Sequence, residues 1–127
     1  MKRLLPILLL TVAVLLGSAG VGWSADFQKG LDAVKRGDYA TALREWEPLA
    51  EQGNASAQLN LGVMYGMGRG VIRDDVYAHM WGNIAASNGN EDGGKLRDAV
   101  AKEMTSTDIS TAQNLARECV HKNYKGC

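Results

Sequence analysis

The sequence predicts an all-α domain, a short solenoid of about six helices arranged as three hairpins. Three observations support this fold class. Apolar residues recur every three or four positions through most of the 127-residue chain, which is the spacing of one face of a helix. Glycines fall mainly between these segments, where helices end. Residues 38–54 resemble residues 74–90 at an offset of 36, and a helix–turn–helix unit repeating near that period is typical of an α-solenoid.

Residues 1–24 have the composition of a secretory signal peptide. A basic pair near the start precedes an apolar run of about thirteen residues, which is too short to span a bilayer comfortably. Small residues before Ala25 favour cleavage between Ser24 and Ala25; cleavage after Ala19 and an uncleaved anchor are the alternatives. The sequence thus predicts a periplasmic or secreted domain with no stable membrane anchor after cleavage.

Charge balance excludes some classes of partner. The chain has 14 basic and 14 acidic residues, and removal of residues 1–24 leaves twelve basic against fourteen acidic residues. A domain this close to neutrality has no net field that would recruit nucleic acid or an anionic membrane. We therefore expect no nucleic acid partner.

The first hairpin is predicted within residues 26–53 of a single domain that covers 25–127. Its first helix lies near 25–36. Asp38 can cap the second helix, which runs to Gln52. This partial repeat shares five residues with the one that follows it: Asp38, Ala42, Trp46, Ala50 and Gly53. The tryptophan lies one position out of register.

Residues 54–89 form the most complete repeat. Its first helix places small and apolar residues every four positions, and a glycine-rich turn then reverses the chain. Asp74 or Asp75 can cap the second helix, which ends before Gly89. The predicted packing and turn residues are Ala57, Leu61, Gly62, Tyr65, Gly68, Gly70, Val71, Asp74, Ala78, Trp81, Ala85, Ala86 and Gly89.

This pattern resembles the Sel-1-like repeat, a relative of the tetratricopeptide repeat. The resemblance covers about half of the chain. It implies a right-handed superhelix that presents a groove to a protein or peptide, and it implies no cofactor. In the family the first helix of each repeat lines the concave face. The candidates for partner contact are Asn60, Met64 and Met67 on that helix and Arg69 in the turn, where a partner's carboxylate could reach it. Core packing is the alternative for the two methionines, and a solvated side chain is the alternative for Arg69.

The last segment, 90–127, is predicted to be a capping hairpin, since terminal repeats of solenoids depart from the repeat pattern. We expect a loop from Asn90 to Gly94 and then a helix through Met104. Thr105, with an acidic residue three positions later, can cap the final helix.

The two cysteines lie together near the end of that helix. In an exported protein an even number of cysteines indicates a disulfide, which would join Cys119 to Cys127. Two free thiols or a bond between chains are the alternatives. Cys119 and His121 are two positions apart and face away from each other on a helix, so a nucleophile–base pair is not expected.

Other motifs that could carry chemistry have simpler explanations. The glycines of 66–70 follow a helix, whereas a phosphate-binding loop follows a strand, so we interpret them as a turn. His79 lies in another repeat from the second histidine, which disfavours a zinc site. An aromatic ligand site is one interpretation of four rings, but at helical spacing we expect them in the core: Trp46, Tyr65, Tyr77 and Trp81.

Binding without catalysis is the leading hypothesis for function, in an exported module for protein–protein contact in the cell envelope. A weak β-lactamase or penicillin-binding hydrolase, as described for cysteine-rich relatives in the family, is the enzymatic alternative. This chain lacks their repeat-by-repeat cysteine pairs and has no Ser-x-x-Lys motif. A structural role in envelope assembly is a third possibility.

Overall fold

The computed structural model describes residues 25–127. The predicted signal peptide and its cleavage after Ser24 therefore lie outside the described residues. Within the described part of the chain, no helix is long and apolar enough to cross a membrane.

Six helices account for most of the described chain, as the sequence predicts. They are α1 (Phe27–Lys35), α2 (Tyr39–Glu51), α3 (Ala55–Met67), α4 (Asp75–Ser87), α5 (Glu91–Ala101) and α6 (Ser106–His121).

Each helix begins directly after a residue whose side chain accepts a hydrogen bond from the first turn. These N-cap residues are Asp26, Asp38, Asn54, Asp74, Asn90 and Thr105. Such caps satisfy backbone N–H groups that have no partner inside the helix. Asp74 is thus the cap of α4, while Asp75 is the first residue of that helix.

The helices pack as consecutive hairpins, which confirms the predicted short solenoid. Neighbours in sequence pack against each other from α1 through α5. Contacts between α3 and α5 and between α4 and α6 tie successive repeats together. The last hairpin is open, because α6 packs mainly on α4 and touches α5 little.

The core follows the predicted pattern of small residues and two large rings. Trp46 and Trp81 are buried, which favours the core interpretation of these rings. Seven of the thirteen residues of α4 are buried, so this helix forms the centre of the stack. The small residues let helices approach closely, and the fully buried alanines are Ala33, Ala42, Ala50, Ala57, Ala78, Ala85 and Ala112.

The expectation of a loop from Asn90 to Gly94 is wrong, because α5 already begins at Glu91. Gly93 is buried against Gly82 of α4, where an added Cβ would lie 2.5 Å from the Gly82 carbonyl oxygen. Local propensity disfavours a helical conformation for the pair Gly93 and Gly94. Close packing of the α4 and α5 backbones therefore keeps this pair in the helix. At its other end α5 stops at Ala101, three residues before the predicted Met104.

The predicted disulfide joins Cys119 of α6 to Cys127, across a separation of 8 residues. Asn123 and Tyr124 adopt left-handed backbone conformations, with φ of 53° and 65°. They turn the 122–127 segment back onto the core, where Tyr124 and Cys127 pack. The segment thus closes over the solenoid.

A chain of side-chain hydrogen bonds links that segment to two preceding repeats. The Tyr124 hydroxyl donates to Oδ1 of Asn88 at 3.1 Å, and Nδ2 of Asn88 donates to Oε1 of Gln58 at 2.8 Å. The fully buried Gln58 then donates to the Ala50 carbonyl at 3.0 Å. Since Ala50 belongs to α2, one polar network spans all three hairpins.

Candidate functional site

A groove runs between α1 and α3, the first helices of two consecutive hairpins. Its volume is about 170 Å³. We call it the α1–α3 groove, and it is lined by Leu31, Val34, Tyr39, Trp46, Asn60, Val63, Met64 and Arg69. Its floor comes from α2, through Tyr39 and Trp46.

The floor of the groove is held in place by packing and by one hydrogen bond. The indole nitrogen Nε1 of Trp46 donates to the Phe27 carbonyl at 3.2 Å, and the two rings lie 5.9 Å apart. Gly30 makes this approach possible, since a Cβ there would lie 2.6 Å from Cε2 of Trp46. Packing and this hydrogen bond therefore fix the position of the Trp46 ring in the floor.

Arg69 supplies a positive charge at one end of the groove. Gly68 ends α3 in a left-handed conformation with φ of 65°, and the Arg69 N–H donates to the Met64 carbonyl at 3.0 Å. The guanidinium carbon lies 5.7 Å from the centre of the Tyr39 ring, in range of a cation–π interaction. No carboxylate within residues 25–127 forms a salt bridge with Arg69.

The four predicted contact residues differ in their exposure and in whether they line the groove. Asn60 and Arg69 line the α1–α3 groove, Asn60 being half-buried and Arg69 exposed. Met67 is 55% exposed but lies outside the groove.

Met64, the fourth candidate, is only 3% exposed, which favours core packing, the alternative interpretation of this residue. Its side chain points toward α2, and the turn after α3 folds over it. Gly70, with φ of 74°, lies so close that a Cβ there would be 3.4 Å from the Met64 methyl and 2.8 Å from Cβ of Tyr39. Met64 therefore contributes to the floor.

Tyr39 and Val63 also line the groove, although the repeat pattern did not indicate them. Val63 could have been found, because it lies three positions after Asn60 and shares one side of α3 with it. Tyr39 could not, since only the packing of the turn after α3 onto α2 brings it beside Arg69.

A wider cleft of about 710 Å³ lies between α4 and α6, and its floor includes Ile84 and Ala116. Polar side chains form its rim, among them Asn83, Gln113 and Arg117. Asn83 is already engaged, because its Oδ1 accepts from Arg97 at 3.0 Å. Arg117 likewise donates to Asn114. We therefore regard the α1–α3 groove, where Arg69 stands unpaired, as the better candidate.

The cysteines, His79 and the 66–70 glycines each occupy a defined structural environment. Cys119 is bonded to Cys127 and so has no free thiol to act as a nucleophile. His79 is buried, and its Nδ1 atom has no hydrogen-bond partner in the described structure. Burial lowers the pKa of His79, and the positive charge of Arg97 lowers it further. The 66–70 glycines form the end of α3 and the following turn, as expected.

Comparison with known proteins identifies one repeat in the chain. Residues 55–90 match the family described as the Sel1 repeat. This range coincides with α3, α4 and the turn between them, which is the stretch predicted as the most complete repeat. A search of curated proteins found no match.

Proposed function

We propose that the chain is an exported binding module, because residues 55–90 match the Sel1 repeat and such repeats generally mediate protein–protein contacts. Its α1–α3 groove would hold a short segment of a partner protein. The observation that carries this proposal is an unpaired arginine at the end of an apolar groove.

The volume of the groove favours a protein side chain over a whole small molecule. Sites for small molecules and cofactors usually enclose about 300–1,000 Å³, whereas this groove encloses about 170 Å³. That space suits one large aliphatic or aromatic side chain. The remainder of the partner segment would lie along the outside of α1 and α3.

The side chains around the groove define the chemistry of the segment. Burial of an apolar side chain against the floor is favourable, by about 25 cal/mol per Å² of apolar surface removed from water. Arg69 would pair with a carboxylate next to it, and the half-buried Asn60 has an amide that can bind the peptide backbone. We therefore propose a segment in which a large apolar residue is followed or preceded by Asp or Glu.

The interaction is expected to be modest and reversible. Two full hairpins and one open hairpin offer a short groove, so the interface should fall near or below the low end of about 1,200–2,000 Å² for specific complexes. A single exposed charge pair adds only about 0.2–1 kcal/mol. Such a module suits transient capture or recruitment of a partner.

Export is the second part of the proposal. The basic start and apolar run of residues 1–24 support it. So does the Cys119–Cys127 bond, because disulfides persist in oxidising compartments such as the periplasm. The N-terminal sequence of protein recovered from the periplasm should begin at Ala25; an intact Met1 on cytoplasmic protein would contradict export.

A peptide library tests the binding site directly. Peptides selected on the immobilised protein should carry a large apolar residue beside Asp or Glu. Arg69→Glu should weaken their binding about 2- to 30-fold, because it replaces an exposed charge pair with a repulsion of similar size. The matched control is Arg117→Glu, which reverses an exposed arginine in the α4–α6 cleft and should leave binding intact. Equal binding by both variants would exclude the α1–α3 groove.

Binding without catalysis is the final part of the proposal. The purified protein should not hydrolyse nitrocefin or a peptidoglycan fragment. Saturable hydrolysis that persists in a folded Cys119→Ser/Cys127→Ser variant would favour the hydrolase alternative instead.

A further inference from the structure

A second pocket lies on the other side of α3, away from the α1–α3 groove. Its volume is about 200 Å³. We call it the acidic–aromatic pocket, and it is lined by Glu47, Glu51, Leu61, Tyr65, Trp81, Tyr124, Gly126 and Cys127. It draws on α2, α3, α4 and the 122–127 segment, so it forms only when all of these are assembled.

Two carboxylates stand at one edge of this pocket. Glu47 and Glu51 are four residues apart on α2, which places them one above the other on the same side of the helix. Neither forms a salt bridge with any residue of the described chain. Glu45 of the same helix, by contrast, pairs with Lys29 at 3.4 Å. The pocket thus has negative charge that the fold does not neutralise.

Three aromatic rings form the walls. Tyr65 is stacked on Tyr77 with ring centres 5.2 Å apart, and Tyr124 is held by its hydrogen bond to Asn88. Trp81 is 4% exposed and so presents only a small part of its ring. The pKa of Tyr65 is raised, first by burial and then by the charge of Glu47, which indicates a negative potential at that ring.

Carboxylates and aromatic rings together attract one class of ligand. A cation is drawn to the negative face of a ring and to a carboxylate, and sites that combine the two recognise ammonium groups. Their apolar walls also suit the hydrocarbon stem that carries the charge in a lysine side chain. The pocket is again smaller than the roughly 300–1,000 Å³ of usual small-molecule sites.

We propose that the acidic–aromatic pocket binds the side chain of a lysine presented by a protein partner. The ammonium group would lie between Glu47 and Glu51, and the stem would pack against Tyr65, Trp81 and Tyr124. This site is separate from the α1–α3 groove and differs from it in charge, so each can be tested without the other.

The disulfide has a direct role in this site. Gly126 and Cys127 form part of its wall, and the bond to Cys119 holds them there. Without the bond, the 122–127 segment keeps its backbone hydrogen bonds to α6, such as that from the Tyr124 N–H to the Cys119 carbonyl at 2.9 Å, and the side-chain hydrogen bond from Tyr124 to Asn88. Gly126 and Cys127, however, lose their covalent link to α6. Lysine binding should therefore weaken when the disulfide is reduced, while the α1–α3 groove is unaffected.

Nuclear magnetic resonance of the full-length, isotope-labelled protein tests the proposal. The probe is N-acetyl-lysine methylamide, and the uncharged N-acetyl-norleucine methylamide is the control ligand. The lysine probe should shift the signals of Trp81 and Tyr124 in a saturable manner and leave those of Trp46, which lines the other groove, in place. A response of equal size to the norleucine probe, or no saturable shift, would refute the proposal.

Variants identify the charges involved. Glu47→Gln/Glu51→Gln should weaken binding of the lysine probe about 2- to 30-fold, as expected when two exposed charge contacts are lost. The matched control, Glu91→Gln/Glu118→Gln, changes the net charge equally outside the pocket and should bind as the wild type does. Amide spectra establish that each variant is folded. Equal affinities for the two variants would overturn the assignment.

Discussion

Substitution of Gly93 by alanine probes the close backbone contact between α4 and α5. A Cβ at this position would lie 2.5 Å from the carbonyl oxygen of Gly82 and 2.8 Å from both the Ala85 Cβ and the Ala86 backbone nitrogen. Carbon contacts are optimal at about 3.5–4.0 Å. Two of the three obstructing atoms belong to the backbone of α4 and cannot rotate away, so α5 would have to move outward by about 1 Å.

The cost follows from the loss of packing along α4 and α5, the most extensive helix contact in the structure. A gap of 0.5–1 Å already removes about a quarter to a half of the dispersion energy of an atom pair. Overpacked cores typically lose about 1–3 kcal/mol, and we expect that reduction in the free energy of unfolding for Gly93→Ala. The better helix propensity of alanine, up to about 1 kcal/mol, works in the opposite direction.

The adjacent glycine provides the matched control. A Cβ on Gly94 would meet only the Arg97 side chain at 3.6 Å and the Ala86 Cβ at 3.9 Å, which are ordinary contacts. Gly94→Ala should therefore be neutral or should stabilise the protein by up to about 1 kcal/mol.

Urea unfolding followed by circular dichroism measures both variants. Both alanines gain the same helix propensity, so the comparison between the two variants isolates the overpacking cost of at least about 1 kcal/mol. Gly93→Ala should therefore have a lower midpoint than Gly94→Ala with an unchanged slope, and its melting temperature should be at least about 4 °C lower, since each 1 kcal/mol corresponds to about 4–8 °C in a domain of this size. Equal stability of Gly93→Ala and Gly94→Ala would refute the close approach of the two helices.

Three further predictions concern buried polar groups and the disulfide. The pKa of His79 is lowered in the folded protein from its usual 6.5, so the unfolded chain binds a proton there first as the pH falls. The free energy of unfolding should therefore fall as the pH drops below about 6.5. In urea titrations at successive pH values His79→Leu should show a smaller fall, and a pH dependence identical to that of the wild type would contradict this. Cys119→Ala/Cys127→Ala should lower the free energy of unfolding by about 2–3 kcal/mol in the chain-entropy model, and the reductant dithiothreitol should then have no further effect on the variant's thermal melting, whereas it should lower that of the wild type. Gln58→Leu removes the hydrogen bonds to Asn88 and to α2 and should cost about 1–3 kcal/mol in urea unfolding; wild-type stability would mean that the network contributes nothing.

Helical periodicity was sufficient to predict six helices, and side-chain chemistry identified where they begin. Asp38, Asp74 and Thr105 are caps because a short polar side chain can reach a free N–H only at a helix start. The alanines of the repeat are buried because their helical spacing places them on the same face as the large apolar residues. These features depend on residues close together in the chain, so the sequence alone determined them.

The candidate sites depend on contacts between distant residues, and the sequence could supply only some of their members. Asn60 and Arg69 were predicted from the position of the repeat, but Tyr39 joins them only because the turn after α3 packs onto α2. Met64 lies three positions after the buried Leu61, on the core side of α3, and the turn that folds over it completes its burial.

The start of α5 shows most clearly where local information ends. Gly93 and Gly94 weaken a helix by about 1 kcal/mol each relative to alanine, so local propensity favours a loop at that point. The structure makes them helical because contact with Gly82 outweighs propensity, and this contact joins two different helices. Sequence periodicity and capping thus determined which segments are helices. The tertiary structure decided how closely the helices pack, where the 122–127 segment lies and which residues form the walls of both pockets. Each of these features arises from atoms that come together only when the hairpins stack.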